Sequence, residues 1–182
     1  KTFNGIHNVS AIAGVEYLSE TREGISGAGI GFPTFQFRTI QSAATPESVS
    51  GFWTGYRRAS VFSSVNYDFK KKYLLTLTAR YDGSSRFGTN NQYGLFPSVR
   101  VGWSLVEEEF LKNSSSVSEM KLRASYGLTG NDQIGNFDAR GLYGGGGNYS
   151  GSAGIVPSSL ANLGLGWETN NTLNLGFDFG FF

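Results

Sequence analysis

The sequence predicts an all-β chain whose antiparallel strands form one curved, open stretch of a transmembrane β-barrel wall, and three observations carry that prediction. First, about six stretches alternate apolar and polar residues over roughly ten positions each. Successive side chains on a strand point to opposite faces, so such a stretch is oily on one side and wet on the other. About ten residues tilted near 45° also suffice to cross a hydrocarbon core. Second, only 16% of residues are charged and 15% are aromatic, where a charged fraction of about a quarter is usual; this composition argues against disorder. Third, tight and long connections alternate, as in barrels with short turns on one side and long loops on the other.

The elements follow in order. A first strand is predicted near residues 6–18, with Val9, Ala11, Ala13, Val15 and Tyr17 on one face and Ile12 the one apolar residue on the other. From Ser19 to about Arg58 the chain is rich in Gly, Ser and Thr without a sustained period, which reads as loop. The second strand, near 59–69, sets Val61, Val65, Tyr67 and Phe69 against Ser60, Ser64, Asn66 and Asp68. Lys70, Lys71 and Lys72 alone separate it from the third, near 73–82, so these two form a hairpin. The third is the cleanest: Tyr73, Leu75, Leu77, Ala79 and Tyr81 oppose Thr76, Thr78, Arg80 and Asp82.

After a loop through Gly94, a strand near 97–105 carries Val99, Val101, Trp103 and Leu105 on its apolar face. Val106 to Lys112 reads as a short periplasmic helix, its Glu107, Glu108 and Glu109 at the N-terminal end that the helix dipole favours. A strand near 120–129 sets Met120, Leu122, Ala124, Tyr126 and Leu128 against Lys121, Arg123, Ser125, Gly127 and Thr129. A long loop with Gly144 to Gly147 leads to the last strand, near 170–181, whose oily set is Leu173, Leu175, Phe177, Phe179 and Phe181. Tyr67, Phe69, Tyr73, Trp103 and Phe181 lie at the short-turn ends, where an interfacial aromatic girdle belongs.

Chemistry is sparse. The absence of cysteine excludes disulfides, thiolate metal sites and cysteine nucleophiles. A net charge of +1 implies no attraction to nucleic acid or to an anionic membrane surface, and no nucleic-acid partner is expected. His7, the single histidine, has no acid or nucleophile near it in sequence, and Gly27, Gly29 and Gly31 lack the strand-to-helix context of a phosphate loop. The sequence therefore predicts no catalytic residue, no metal site and no cofactor. Arg80, Arg100, Lys121 and Arg123 fall on the polar faces and are predicted to face the lumen, with Glu16, Asp68 and Asp178 as partners. Arg86 and Phe87 are expected to brace the loop after the third strand. Trp53, Tyr93, Tyr143 and Tyr149 are the candidate ligand-binding residues, because a loop aromatic can stack on the apolar face of a sugar ring.

Several phrases resemble those of SusC/RagA-like TonB-dependent outer-membrane transporters. They are Arg80-Tyr81-Asp82-Gly83-Ser84-Ser85-Arg86-Phe87-Gly88, Phe96-Pro97-Ser98 with Gly102-Trp103, and Glu108-Glu109-Phe110-Leu111. Leu122-Arg123-Ala124-Ser125-Tyr126-Gly127 with Gly130-Asn131, Trp167-Glu168-Thr169 and Gly176-Phe177-Asp178-Phe179 continue the series. The resemblance covers about Ala59 to Phe182. It implies a 22-stranded barrel in the bacterial outer membrane with an internal plug, importing nutrients such as glycans or peptides. It also implies a SusD-like surface lipoprotein as partner and energy from a TonB complex acting through the plug. Residues 1–182 would then be part of one barrel domain, with the plug and the remaining strands outside them.

Two other readings compete: a soluble all-β carbohydrate-binding or adhesin module, and a secreted β-rich enzyme. The ends bear on the choice. Under the membrane reading Lys1 is not the start of the gene product. The phase of the last strand puts Phe182 on the polar side, and six strands cannot close a barrel, so further strands are expected beyond it.

Overall fold

The computed structural model describes residues 1–112 and 116–181. Among these residues nine strands form in chain order: β1 (Thr2–Phe3), β2 (His7–Ile30), β3 (Thr45–Phe69), β4 (Tyr73–Ser84), β5 (Tyr93–Ser104), β6 (Val117–Asn131), β7 (Leu142–Tyr149), β8 (Ser152–Ser159) and β9 (Glu168–Phe181). Seven make one antiparallel sheet in the order β1-β2-β3-β4-β5-β6-β9, and β7 and β8 pair as a separate hairpin. The sheet is an open wall, not a closed barrel.

The register converts sequence alternation into continuous rows across the wall. Val9, Tyr67, Leu75, Val101, Ala124 and Leu175 are paired neighbours in one row, all apolar. The next row holds Ser10, Asn66, Thr76, Arg100, Ser125 and Asn174, all polar. Apolar residues return in the third, with Ala11, Val65, Leu77, Val99, Tyr126 and Leu173. Because the period is two, one residue of slip in any strand would break every row it crosses. No second sheet packs over the apolar face: Val15, Leu175 and Leu173 stay 81%, 78% and 67% exposed. A sandwich would have covered them.

The turn between β3 and β4 is tight. Lys72 N–H bonds to the Phe69 carbonyl at 2.9 Å while Lys70 and Lys71 take φ of 54° and 58°. Two consecutive left-handed residues are the signature of the turn whose twist matches a hairpin. The Asp68 carboxylate accepts from Lys71 N–H at 2.6 Å and stands in for the usual Asn-Gly chemistry.

Three expectations are corrected. The predicted loop from Ser19 to Arg58 shrinks to residues 31–44, since β2 runs on to Ile30 and β3 starts at Thr45. That part of the hairpin stands clear of β4 and has no buried face, so no apolar period was needed to specify it. Gly144 to Gly147 belong to β7, where backbone pairing with β8 compensates for the missing side chains. The predicted helix from Val106 to Lys112 is instead a one-turn 3-10 helix, Leu105–Glu107, followed by turns. Of its glutamates only Glu107 lies in that turn, and Glu108, just past it, is drawn to the neighbouring Lys72 turn. Phe182 lies outside the described residues.

The low ends of β3 to β6 are tied together. Along one row His7, Phe69, Tyr73, Trp103, Leu122 and Phe177 follow one another. Phe69 stacks near Tyr73 and Tyr73 near Trp103, with centroids 6.3 and 6.4 Å apart. Glu108 accepts from Lys72 Nζ at 3.0 Å, Tyr73 hydroxyl at 3.1 Å and Trp103 Nε1 at 3.0 Å. The Trp103 bond, then the Lys72 bond, hold the Glu108 carboxyl below the usual carboxylate range. The same carboxylate raises the Lys72 ammonium above its ordinary value.

Candidate functional site

The few buried side chains gather at the opposite, long-loop end. Among the described residues, Phe87, Phe96, Ala139, Ser60, Ser84 and Asp132 are the buried ones that the wall provides. Asp132 is the hub. Its carboxylate accepts from Arg58 through Nε at 2.7 Å and through a second guanidinium nitrogen, and from Ser84 Oγ at 3.0 Å. Two parallel bonds to one carboxylate fix the Arg58 plane as well as its charge. Arg86 donates to the Asp132 carbonyl at 2.9 Å and to Asn136 Oδ1 at 2.8 Å, with its guanidinium 3.8 Å from the Tyr56 ring centroid. Phe87 and Phe96 close on Trp167 at 5.0 and 5.2 Å, and Trp167 Nε1 donates to the Gln92 carbonyl at 3.0 Å.

Arg86 and Phe87 thus brace the loop, as expected of them. The stretch from Arg80 to Gly88 is structural along its whole length. Arg80 pairs with Asp82 at 3.0 Å, Ser85 exchanges bonds with the Arg57 backbone, and Gly88 lets the Leu163 backbone approach where a Cβ would collide. Sequence reasoning missed Asp132. The signal was a single acid directly after a polar strand end, opposite two arginines that had no other acid to meet.

The predicted lumen-facing cations do share one face, the one opposite Leu75, Val101 and Leu122. Arg80 reaches Glu16 at 3.5 Å as well as Asp82, Arg123 bonds Asp178 at 2.6 Å, and Lys121 approaches Glu119 at 3.9 Å. Arg100 alone of the four has no acidic partner among the described residues. Asp68 is taken up by Asn8 and the Lys71 backbone, so it pairs with none of them.

The candidate aromatics separate. Tyr93 is the first residue of β5, on the apolar face, stacked on Tyr81 at 5.4 Å. Trp53 lies high on β3, stacked on Phe137 at 5.8 Å. Tyr143 and Tyr149 stand on the β7–β8 hairpin, 73% and 84% exposed. His7 accounts for itself through a 2.8 Å contact between Nδ1 and the Tyr67 hydroxyl. Among the described residues no group of three His, Asp or Glu could hold a metal. A concavity of about 820 Å³ runs along Leu75, Val101, Leu122 and Phe177 on the apolar face and has little polar surface to orient a ligand.

Comparison with known proteins agrees with this geometry. The family model described as TonB dependent receptor-like, beta-barrel matches residues 2–182. A TonB-dependent receptor of Formosa agariphila is 36% identical over 184 residues, covering 100% of this chain and 18% of the relative. The TonB-dependent receptor SusC of Bacteroides thetaiotaomicron is 41% identical over 129 residues, covering 67% of this chain and 13% of that protein. The structure of the RagAB peptide transporter superposes with a TM-score of 0.91 at 28% identity, over 100% of this chain and 20% of that one. The chain spans about a fifth of the length of the relatives it matches.

Proposed function

Because the chain belongs to the TonB-dependent receptor-like β-barrel family, we propose that it is part of the wall of an outer-membrane nutrient importer and not an enzyme. The observation that carries this is the register: across six strands the rows through Leu75 and Leu77 are wholly apolar on one side and the row through Thr76 wholly polar on the other, with nothing among the described residues packed on the apolar side. The height of the apolar face supports a bilayer as its cover. Tyr73 and Trp103 mark its lower edge, and the row Tyr17, Ala59, Gly83 and Tyr93 marks its upper edge. Ten residues separate these rows on β4, which at about 3.4 Å per residue and a 45° tilt is roughly 24 Å. Outer-membrane barrels carry an apolar band of about 25 Å between aromatic girdles.

On this reading residues 1–182 are one part of a single barrel domain, and a plug and further strands complete it elsewhere in a longer protein. Arg80, Arg100, Lys121 and Arg123 face the lumen, where Arg100 is free for a solute or a plug carboxylate. The exposed Tyr143 and Tyr149 are the aromatics best placed to meet a glycan or peptide. A SusD-like lipoprotein on the outside and a TonB complex acting on the plug are the expected partners. The likeness to SusC and to the RagAB peptide transporter supports this reading, and the second favours an oligomeric nutrient.

The test is uptake of labelled oligosaccharides and oligopeptides by cells lacking the full-length gene, with fractionation of the complemented strain. Loss of uptake of one class, restored by complementation with the protein in the outer-membrane fraction, is expected. Unchanged uptake of every class, or a protein found outside the membrane fraction, would sink the proposal.

A further inference from the structure

Above the apolar band, the outer side of the β2–β3 hairpin carries a cleft that no transport role uses. It measures about 260 Å³. Arg57 and Arg140 both line it, both are exposed, and neither guanidinium makes a hydrogen bond or ion pair with any described residue. Both guanidinium groups therefore keep their donors open at one small cleft, and the guanidinium fork suits phosphate oxygens. Gly55, between Arg57 and Trp53 on the same strand face, contributes no side chain and leaves the space open. Trp53 with Phe137 walls the far side as a stacked aromatic pair. Glu20 is the one acid in the lining, and its carboxylate is already engaged by Arg22 at 2.8 Å and the Tyr56 hydroxyl at 3.2 Å.

Position adds to chemistry. Alternation puts Arg57 on the same face as Ala59, two residues further out. Ala59 belongs to the upper aromatic row, so at the same 45° tilt Arg57 stands about 5 Å beyond the edge of the apolar band. That is headgroup height, where basic side chains meet anionic lipid. We propose that this cleft binds a phosphorylated saccharide, the arginines taking the phosphate and the aromatic pair the sugar ring, with an outer-leaflet glycolipid headgroup as the source its height favours. The proposal rests on the membrane placement given above and is independent of what is imported, so a failed uptake test leaves it standing and a failed fractionation removes both.

The experiment uses the full-length protein in detergent, with binding read by native mass spectrometry. The probes are a diphosphorylated disaccharide lipid in micelles, its dephosphorylated counterpart, and soluble glucosamine 1-phosphate. Arg57→Ala with Arg140→Ala should weaken binding of the phosphorylated probe at least tenfold. Arg57→Gln with Arg140→Gln, which preserves the packing of the stems, should do the same if the first variant folds poorly. Tighter binding of the phospholipid form than of the soluble sugar phosphate assigns the headgroup; the reverse assigns a free sugar phosphate, and both support the site. Equal binding of the dephosphorylated lipid, or binding of both phosphorylated probes that neither variant weakens, overturns it.

Discussion

Leu77 and Thr78 are adjacent in sequence and meet different solvents. Leu77 sits in an apolar row between Val65 and Val99, and Thr78 in a polar one between Ser64 and Ser98. Both are near the middle of the band, so Leu77→Arg should cost about 2–4 kcal/mol and Thr78→Arg at most about 1 kcal/mol, measured by urea titration of the full-length protein folded into liposomes. Equal costs would mean that the two faces do not differ. Asp132 concentrates a different kind of dependence. Asp132→Asn keeps the shape but strips the charge that Arg58 and Arg86 face, and Arg58 is 38% exposed, so water recovers part of the loss. A destabilisation of about 2–3 kcal/mol is expected, with faster proteolysis of the long-loop end. Only a lone acid at a strand end pointed to the hub in the sequence, because its partners Arg58, Ser84 and Arg86 lie 46 to 74 positions away from it. Arg80 with Glu16 and Arg123 with Asp178 were legible, because alternation puts each of these charges on the polar face.

The wall strands were readable wherever a face meets something that demands a period. β4 has such a face along nearly its whole length, and its predicted span of 73–82 falls two residues short of Ser84. The outer halves of β2 and β3 have none; their strand character comes from pairing with each other, which a pattern search along one segment cannot register. The same holds for β7 and β8, where glycine hid a hairpin. The turns tell a similar story. Lys70 and Lys71 occupy left-handed backbone that lysine disfavours. Lys70→Asn with Lys71→Gly should therefore stabilise the protein by about 1 kcal/mol in the same liposome assay. The turn around Glu108 gives a pH signature. Its carboxyl is held below the ordinary value of 4.5, so its contribution is complete above that value and is lost as pH falls through the lowered one. Lys72 is shifted upward, so its share is complete below 10.5 and lost above. The acid limb of a Tm-against-pH profile should be shallower in Glu108→Gln than in the parent, and superimposable limbs would remove Glu108 from the account.

Across the whole molecule, the homogeneous rows behave like a parity code. Each position in the wall carries one bit, oily or wet, and in the three central rows through Leu75, Thr76 and Leu77 all six strands agree on it. A single-residue insertion is a parity error: it inverts everything on one side of itself or forces a bulge inside the bilayer, where an unpaired backbone group costs several kcal/mol. The two shifts of register in this sheet obey the code, since they fall at Ala28/Gly29 and Val117/Glu119, at strand ends where neither bit is read. One alanine inserted after Leu77 should abolish the heat-modifiable folded band of the full-length protein on a gel. The same insertion between Ser150 and Gly151, at the tip of the β7–β8 hairpin, should leave it intact. Length can therefore drift by any number at the loop tips of such a wall, and inside the band it can change only in steps of two.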